Sequence, residues 1–214
     1  MKVLITGTSG GIGKAIAEKF LACGHIVIGI DKEVGTVSHS RYTHLTADVT
    51  GELPDVDGVD ILINNAGVQN SGRDIEVNLK GAMRVTEKYA FRDGIKSVLF
   101  VASASARTGA EFAEYAASKG GLVAYMKNTA LALAKYGATV NSVSPGGVCT
   151  RSNDRVMSDP EKWGRIMEQT LLPKWATPEE IAEFCYFFTV VNKSMTAQDI
   201  LIDNGEAAKS VFVW

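Results

Sequence analysis

Tyr115 and Lys119 stand four residues apart in the stretch YAASK, inside an apolar run with helical character. At that spacing a phenol and an ammonium share one helix face, one turn apart, close enough to feel each other's charge. A free phenol titrates near pH 10 (about 10) and is a poor base at neutral pH, whereas a neighbouring cation favours the phenolate. The pair therefore has the parts of a general acid–base that moves a proton to or from a hydroxyl. Taken alone, Tyr-x-x-x-Lys is more often a core tyrosine beside a lysine that snorkels to water. The rest of the chain decides between these readings.

A second chemical feature is TGTSGGIG, residues 6–13, which follows an apolar strand-like run and opens a helical pattern. Glycine admits positive φ and lets a backbone N–H approach a phosphate, and a helix N-terminus adds partial positive charge. Gly7, Gly11 and Gly13, with Ser9 and Ile12 among them, are the candidate pyrophosphate cradle. Asp31 ends the next strand-like run, 18 residues after Gly13. A carboxylate there accepts hydrogen bonds from a ribose 2′-hydroxyl and repels a 2′-phosphate, which favours NAD over NADP. Lys32, its neighbour, softens that repulsion.

These residues need a frame. KVLIT, HIVIGID, DILINNAG, IKSVLFVAS, ATVNSVSP and DILID are short Val/Ile/Leu-rich runs that suit buried parallel strands, with a further short strand near THLTAD. Helical patterns at 11–22, 74–90, 112–136 and 178–190 lie between them. The last has Thr177 as N-cap, Pro178 at the first helical position and Glu180 to complete a capping box. Alternating strand and helix predicts an α/β chain: a three-layer, doubly wound Rossmann fold of about seven mostly parallel strands flanked by helices. No repeat or linker divides residues 1–214, so one domain is expected, with an irregular substrate loop over roughly 146–176 at the carboxyl edge of the sheet.

Composition narrows the partners. The 214 residues carry a net charge of −2 and 46% hydrophobic residues, which gives no basic face for nucleic acid or an anionic membrane. Cys23, Cys149 and Cys185 show no paired spacing, and the three histidines cluster with none of them, so neither a disulfide framework nor a metal site is indicated. No apolar run reaches the roughly 20 residues of a membrane span, and no signal-peptide pattern precedes the first strand. A reducing cytoplasm is the expected location.

TGTSGGIG, NNAG (64–67), YAASK and PGGVCT (145–150) occur in one order, and together they resemble the short-chain dehydrogenase/reductase family over essentially the whole chain. The resemblance implies that Tyr115 is the catalytic tyrosine, Lys119 its partner, Ser103 the serine that orients the carbonyl, and Asn78 the asparagine of a proton relay. It implies that Thr150 meets the nicotinamide carboxamide, with Pro145, Gly146 and Val148 beside it. Asn65, Ala66 and Gly67 would line the adenosine side, and Asp48 and Val49 would contact adenine. The implied activity is NAD(P)-dependent hydride transfer between nicotinamide and a small-molecule secondary alcohol or ketone, in a homodimer or homotetramer.

The chain also departs from the family pattern. Few residues separate the second and fourth strand-like runs, Ala106 replaces a common glycine, and Ser103 lies twelve residues before Tyr115, so Ser105 is a second candidate for the serine role. Pocket walls are expected from Val68 to Arg73, from Arg107 to Phe112 and from Gly146 to Trp175. The Met157, Trp163, Met167 and Trp175 content of the last suggests an apolar steroid, acyl or ring alcohol, with Arg151 available for an acid group. The competing readings are a non-catalytic NAD-binding sensor and a nucleotide-sugar epimerase or dehydratase. The intact Tyr, Lys and Ser argue against the first, and the glycine spacing and short C-terminal region argue against the second.

Overall fold

The computed structural model describes residues 1–110 and 112–209. Residues 210–214 of the expected domain, and residue 111 of the expected pocket wall, lie outside the described residues. The strands are β1 (Lys2–Thr6), β2 (Ile26–Asp31), β3 (Tyr42–Thr46), β4 (Ile61–Asn64), β5 (Ser97–Val101), β6 (Thr139–Pro145) and β7 (Asp199–Ile202). They form one seven-stranded sheet in the order β3-β2-β1-β4-β5-β6-β7, and every pairing is parallel. The helices are α1 (Gly11–Ala22), α2 (Ala82–Tyr89), α3 (Ser105–Thr108), α4 (Ala113–Leu133), α5 (Asp154–Met157), α6 (Pro160–Met167) and α7 (Pro178–Tyr186).

Continuous apolar strands arise because both faces of the sheet are covered. Successive strand side chains point to opposite faces. Val3, Ile5, Ile61, Ile63, Leu99 and Val101 therefore pack with Ile16 and Phe20 of α1 and Ile181 and Cys185 of α7. Leu4, Leu62, Val98, Phe100 and Val140 point the other way, onto Val85 and Tyr89 of α2 and Leu122, Met126 and Leu133 of α4. Each fully buried Leu, Ile or Phe contributes about 1.5–3 kcal/mol, so this alternation holds the layers together.

The helical expectations hold with two refinements. The 74–90 pattern divides into a wider π-helical turn over Ile75–Gly81 and then α2. Helix α7 starts on the expected box, with the Thr177 hydroxyl accepting from the Glu180 amide and the Glu180 carboxylate accepting from the Thr177 amide, and then widens into π winding over Phe187–Val191.

The short connections flanking β3 carry no helix at all, as seen over residues 32–41 and 47–60. Side chains of α2 tie the second of these down: Arg84 Nη1 donates to the Thr50 carbonyl (2.6 Å), Lys88 Nζ to the Leu53 carbonyl (2.5 Å) and Tyr89 Oη to the Pro54 carbonyl (2.6 Å). Strands β1 and β4 are neighbours, and the chain leaves them toward opposite sides of the sheet. Their carboxyl ends carry the glycine-rich turn and NNAG, so both border the crevice that such a switch point creates.

Candidate active site

The glycine-rich turn is fixed by its neighbours before any ligand is considered. The Thr6 hydroxyl oxygen accepts the amides of Asn65 and Ala66, each at 3.0 Å. Asn65 Nδ2 in return donates to the carbonyls of Thr6 (3.0 Å) and Gly7 (3.1 Å). Gly7 takes φ +77°, a region that favours glycine. A Cβ on Gly13 would stand 1.9 Å from the Gly7 carbonyl oxygen, so α1 can start against this turn only with a glycine there. The result is a cradle that a side chain would fill, at a helix N-terminus, and it fits a pyrophosphate.

Asp31 closes the cradle. Its Oδ2 accepts the Ser9 amide at 2.8 Å and its Oδ1 the Glu33 amide at 3.0 Å, so the carboxylate fastens the turn as well as facing the crevice. Asp48 receives both the amide and the hydroxyl of Thr50 at 2.8 Å, and these bonds hold its carboxyl below the usual carboxylate range. Val49 is buried beside it.

A cleft of about 1830 Å³ runs along the carboxyl edge of the sheet, from Asp31, Asp48 and Val49 at the β2–β3 end to Ser103, Tyr115 and Lys119 beyond β5. Binding pockets for one small ligand are typically about 300–1,000 Å³, so this one has room for a dinucleotide and a second molecule. Gly7, Ser9, Gly11, Ile12, Gly13, Asn65, Ala66, Gly67, Pro145, Gly146, Val148 and Thr150 line it too. Of the residues expected to act here, Asn78 alone is absent from the walls.

At the β5 end, helix α4 presents Tyr115 to the cleft while Lys119 sinks beneath it, 5% exposed. Lys119 Nζ donates to the Val101 carbonyl at 2.9 Å and lies 5.8 Å from the centre of the Tyr115 ring. Burial pushes the Lys119 amine down to about 8, with the negative charge of Asp74 acting in the opposite direction. It is therefore largely protonated at neutral pH, one turn from the phenol.

Ser103 and Ser105 form a directed pair. Ser105 donates its hydroxyl (2.9 Å) and its amide (3.2 Å) to the Ser103 oxygen. A hydroxyl has two lone pairs and one proton. With both lone pairs engaged, what Ser103 offers the cleft is its proton. Both serines border the cleft, and Ser103 is the more exposed of the two. The α3 turn is itself anchored: Arg107 Nε meets Asp199 Oδ2 at 3.0 Å, and Asp199 Oδ1 accepts the hydroxyls of Ser142 and Ser144, both at 2.7 Å.

Asn78 is buried behind the cleft and bonded to its neighbours. Its Oδ1 accepts the Val68 amide (2.8 Å), and its Nδ2 donates to the Val68 carbonyl (2.9 Å) and the Ser118 hydroxyl (3.0 Å). The side chain thus clamps the backbone after NNAG to α4. Asn78 itself is not among the residues that line the cleft.

The outer walls mix polar and apolar residues. Met157, Trp163 and Met167 do not line the cleft; Trp163 packs edge-on against Trp175 at 5.1 Å, and only Trp175 of that pair reaches the wall. Gln69, Thr108, Arg151, Gln169, Glu206 and Lys209 are among the other lining residues, together with Val68, Ala110, Ile166 and Ala207. Glu206 and Lys209 were not signalled by any motif, because they reach the cleft only after β7 turns back across Gly146. No helix among the described residues is long and apolar enough to cross a membrane.

Comparison with known proteins adds independent findings. The sequence model of the family described as enoyl-(acyl carrier protein) reductase matches residues 38–206. The 3-oxoacyl-[acyl-carrier-protein] reductase FabG of Salmonella typhimurium is 31% identical over 94% of this chain and 95% of its own length. The glucose 1-dehydrogenase of Gluconobacter oxydans is 28% identical over 95% of this chain and 91% of its own. Among solved structures, an oxidoreductase from Burkholderia thailandensis superposes with a TM-score of 0.85 at 26% identity, covering 97% of this chain and 93% of that one.

Proposed function

The chain belongs to the short-chain dehydrogenase/reductase family and is an NAD(P)-dependent oxidoreductase acting on alcohol and carbonyl groups, and from that premise we propose that Tyr115 is its general acid–base. The observation that carries this reading is the phenol at the cleft wall with the Lys119 ammonium 5.8 Å from its ring centre.

The cradle of Gly7, Ser9, Gly11, Ile12 and Gly13 would hold the pyrophosphate, with Asp31, Asp48, Val49, Asn65, Ala66 and Gly67 toward the adenosine. Pro145, Gly146, Val148 and Thr150 would flank the nicotinamide, beside Tyr115 and Lys119. When bound, that ring supplies or accepts the hydride. In oxidation Tyr115 Oη takes the proton from the substrate hydroxyl as the C–H pair departs as hydride; in reduction it gives that proton to the carbonyl oxygen. Ser103 donates its hydrogen bond to the same oxygen, and its proton is directed there because Ser105 occupies its lone pairs. The Lys119 ammonium favours the phenolate. Asn78 supports the site by holding the Val68 backbone.

Asp31 supports NAD over NADP, because its carboxylate stands where a 2′-phosphate would bring further negative charge. Gln69, Thr108, Gln169 and Glu206 in the outer wall support a hydroxylated substrate over an extended apolar one. The outward face of α4, with Leu131 79% exposed, supports self-association into a homodimer or homotetramer.

The direct test is a panel of sugar, polyol, acyl and steroid alcohols with NAD and with NADP, followed by the absorbance of the reduced nicotinamide. Turnover of a polyhydroxylated alcohol with NAD is expected. Tight NAD binding with no turnover of any class would favour a sensor over an enzyme.

A further inference from the structure

Residues 32–36 follow β2 without a helix, yet Lys32, Glu33, Val34 and Thr36 wall the cleft beside Asp31. With no helix to pair them, the backbone groups of such a stretch need partners from elsewhere. The Glu33 backbone is where those partners meet. Its amide donates to Asp31 Oδ1 at 3.0 Å, and its carbonyl accepts both the Ser9 hydroxyl at 3.2 Å and His44 Nε2 at 2.9 Å. The Thr36 hydroxyl adds a bond to the Ser9 carbonyl at 3.0 Å. Asp31 and Ser9 belong to the cradle itself, whereas His44 reaches in from β3.

His44 is the last side chain of a hydrogen-bonded chain. Tyr42 and His44 alternate along β3 and so share one face of the sheet. Tyr42 Oη lies 3.1 Å from His44 Nδ1 and 2.9 Å from Thr8 Oγ1, and Thr8, inside the glycine-rich turn, is fully buried. Two glycines make the room. A Cβ on Gly29 would collide with both the Tyr42 and the Thr8 hydroxyl, and one on Gly35 would stand 2.7 Å from the His44 ring. The chain also has a direction. A carbonyl oxygen only accepts, so Nε2 carries the proton and, in the neutral ring, Nδ1 accepts. Tyr42 therefore donates to Nδ1, and the Thr8 hydroxyl donates to Tyr42. Each group gives its one proton to the next, from the glycine-rich turn out to the Glu33 carbonyl.

We propose that His44, oriented by Tyr42, is a positioning residue for the adenosine end of the dinucleotide site: it fixes the 32–36 wall at its distance from the glycine-rich turn. His44 and Tyr42 line no part of the cleft and act through the Glu33 backbone. The functional meaning rests on the dinucleotide reading of the cleft, but the relay itself does not. A wall already in place lowers the ordering cost of binding. Loosening it therefore costs cofactor affinity and leaves the Tyr115 end of the cleft untouched.

The test begins on the protein without cofactor. With histidines labelled by nitrogen-15, the His44 ring signals are assigned by their loss in His44→Gln, and the neutral tautomer protonated on Nε2 is expected. A ring protonated on Nδ1, or on both nitrogens at mildly alkaline pH, overturns the proposal. Deuterium exchange of the Glu33 amide is expected to quicken at least about tenfold in Tyr42→Phe and in His44→Leu, as for a segment that opens locally. Unchanged exchange in both overturns it equally. NADH affinity, read by the fluorescence of its reduced nicotinamide, is expected to weaken about three- to tenfold in each, the usual net effect of one hydrogen bond. The double variant is expected to match His44→Leu, because one broken link opens the chain, and His44→Gln, whose amide can donate to the same carbonyl, to recover about half of the loss. Parent affinity in both single variants, or additive losses, would dismiss the positioning role. If His44→Leu does not fold, Tyr42→Phe, which keeps the ring, decides alone. A parent protein that binds no NADH would remove the dinucleotide reading while the tautomer and exchange results stand, so the two failures are distinct.

Discussion

Ser105 places both its hydroxyl proton and its amide proton on the Ser103 oxygen, at 2.9 and 3.2 Å. The Ser103 hydroxyl is therefore polarised by its more buried neighbour. Ser105→Ala is expected to lower kcat about tenfold with little change in KM, Ser103→Ala to lower it about 10²–10³-fold, and the double variant to fall no further than Ser103→Ala. Steady-state kinetics of the four proteins form the cycle; strict additivity would mean that Ser105 acts independently of Ser103.

Tyr115→Phe removes the proposed acid–base and little else. We expect kcat to fall by about 10²–10⁴ while NADH affinity, read by the fluorescence of its reduced nicotinamide, changes less than about threefold. Parent-level turnover in that variant would move the proton transfer to another group.

Asp31 fastens the Ser9 amide and, on the proposed reading, sets the charge at the ribose end of the cofactor. Asp31→Ser is expected to shift the ratio of kcat/KM for NAD over that for NADP by at least about tenfold toward NADP, the effect of removing one close repulsion. Equal losses with both cofactors would show that the carboxylate serves the turn alone.

Gly13→Ala would drive a methyl group to 1.9 Å from the Gly7 carbonyl. The turn or α1 must move, at a cost of about 1–3 kcal/mol in stability. Dinucleotide binding, measured by calorimetry, is expected to weaken more than 100-fold, an order-of-magnitude expectation from losing the cradle's geometry. Unaltered affinity would place the pyrophosphate elsewhere.

Lys119 also leaves a mark on stability. Its folded-state amine titrates at about 8, below the ordinary 10.5, so above about pH 8 the unfolded chain binds more protons than the folded one. The cost of burying the charge is full below pH 8 (about the folded midpoint) and fades as pH rises toward the unfolded value. Relative to Lys119→Met, the parent is therefore expected to gain up to about 3 kcal/mol between roughly pH 7 and 10.5. Urea unfolding of both proteins across that window reads the difference, and a flat difference would mean that the amine is not buried in solution.

What could be read from the sequence was whatever depends on short spacing. Tyr115 and Lys119, the glycines of the turn, Asp31 and the Thr177–Glu180 box are all fixed by one turn of helix or one strand-to-helix junction. The choice between Ser103 and Ser105 was not legible, because it depends on how the α3 turn directs two hydroxyls two residues apart. Asn78 was found by type and position, yet its partner, the Val68 backbone, is set by long-range packing. Of the substrate-loop tryptophans Trp175 lines the cleft and Trp163 packs on it from behind, a division that composition cannot reveal.

The helix-free segment between β3 and β4 places Asp48 and Val49 on the cleft wall, and Arg84, Lys88 and Tyr89 of α2 hold three of its carbonyls. Helix α2 lines no part of the cleft. It is nonetheless the mooring of that wall, so on the proposed reading damage to α2 would loosen cofactor affinity at a distance while the Tyr115–Lys119 pair on α4 stays in register.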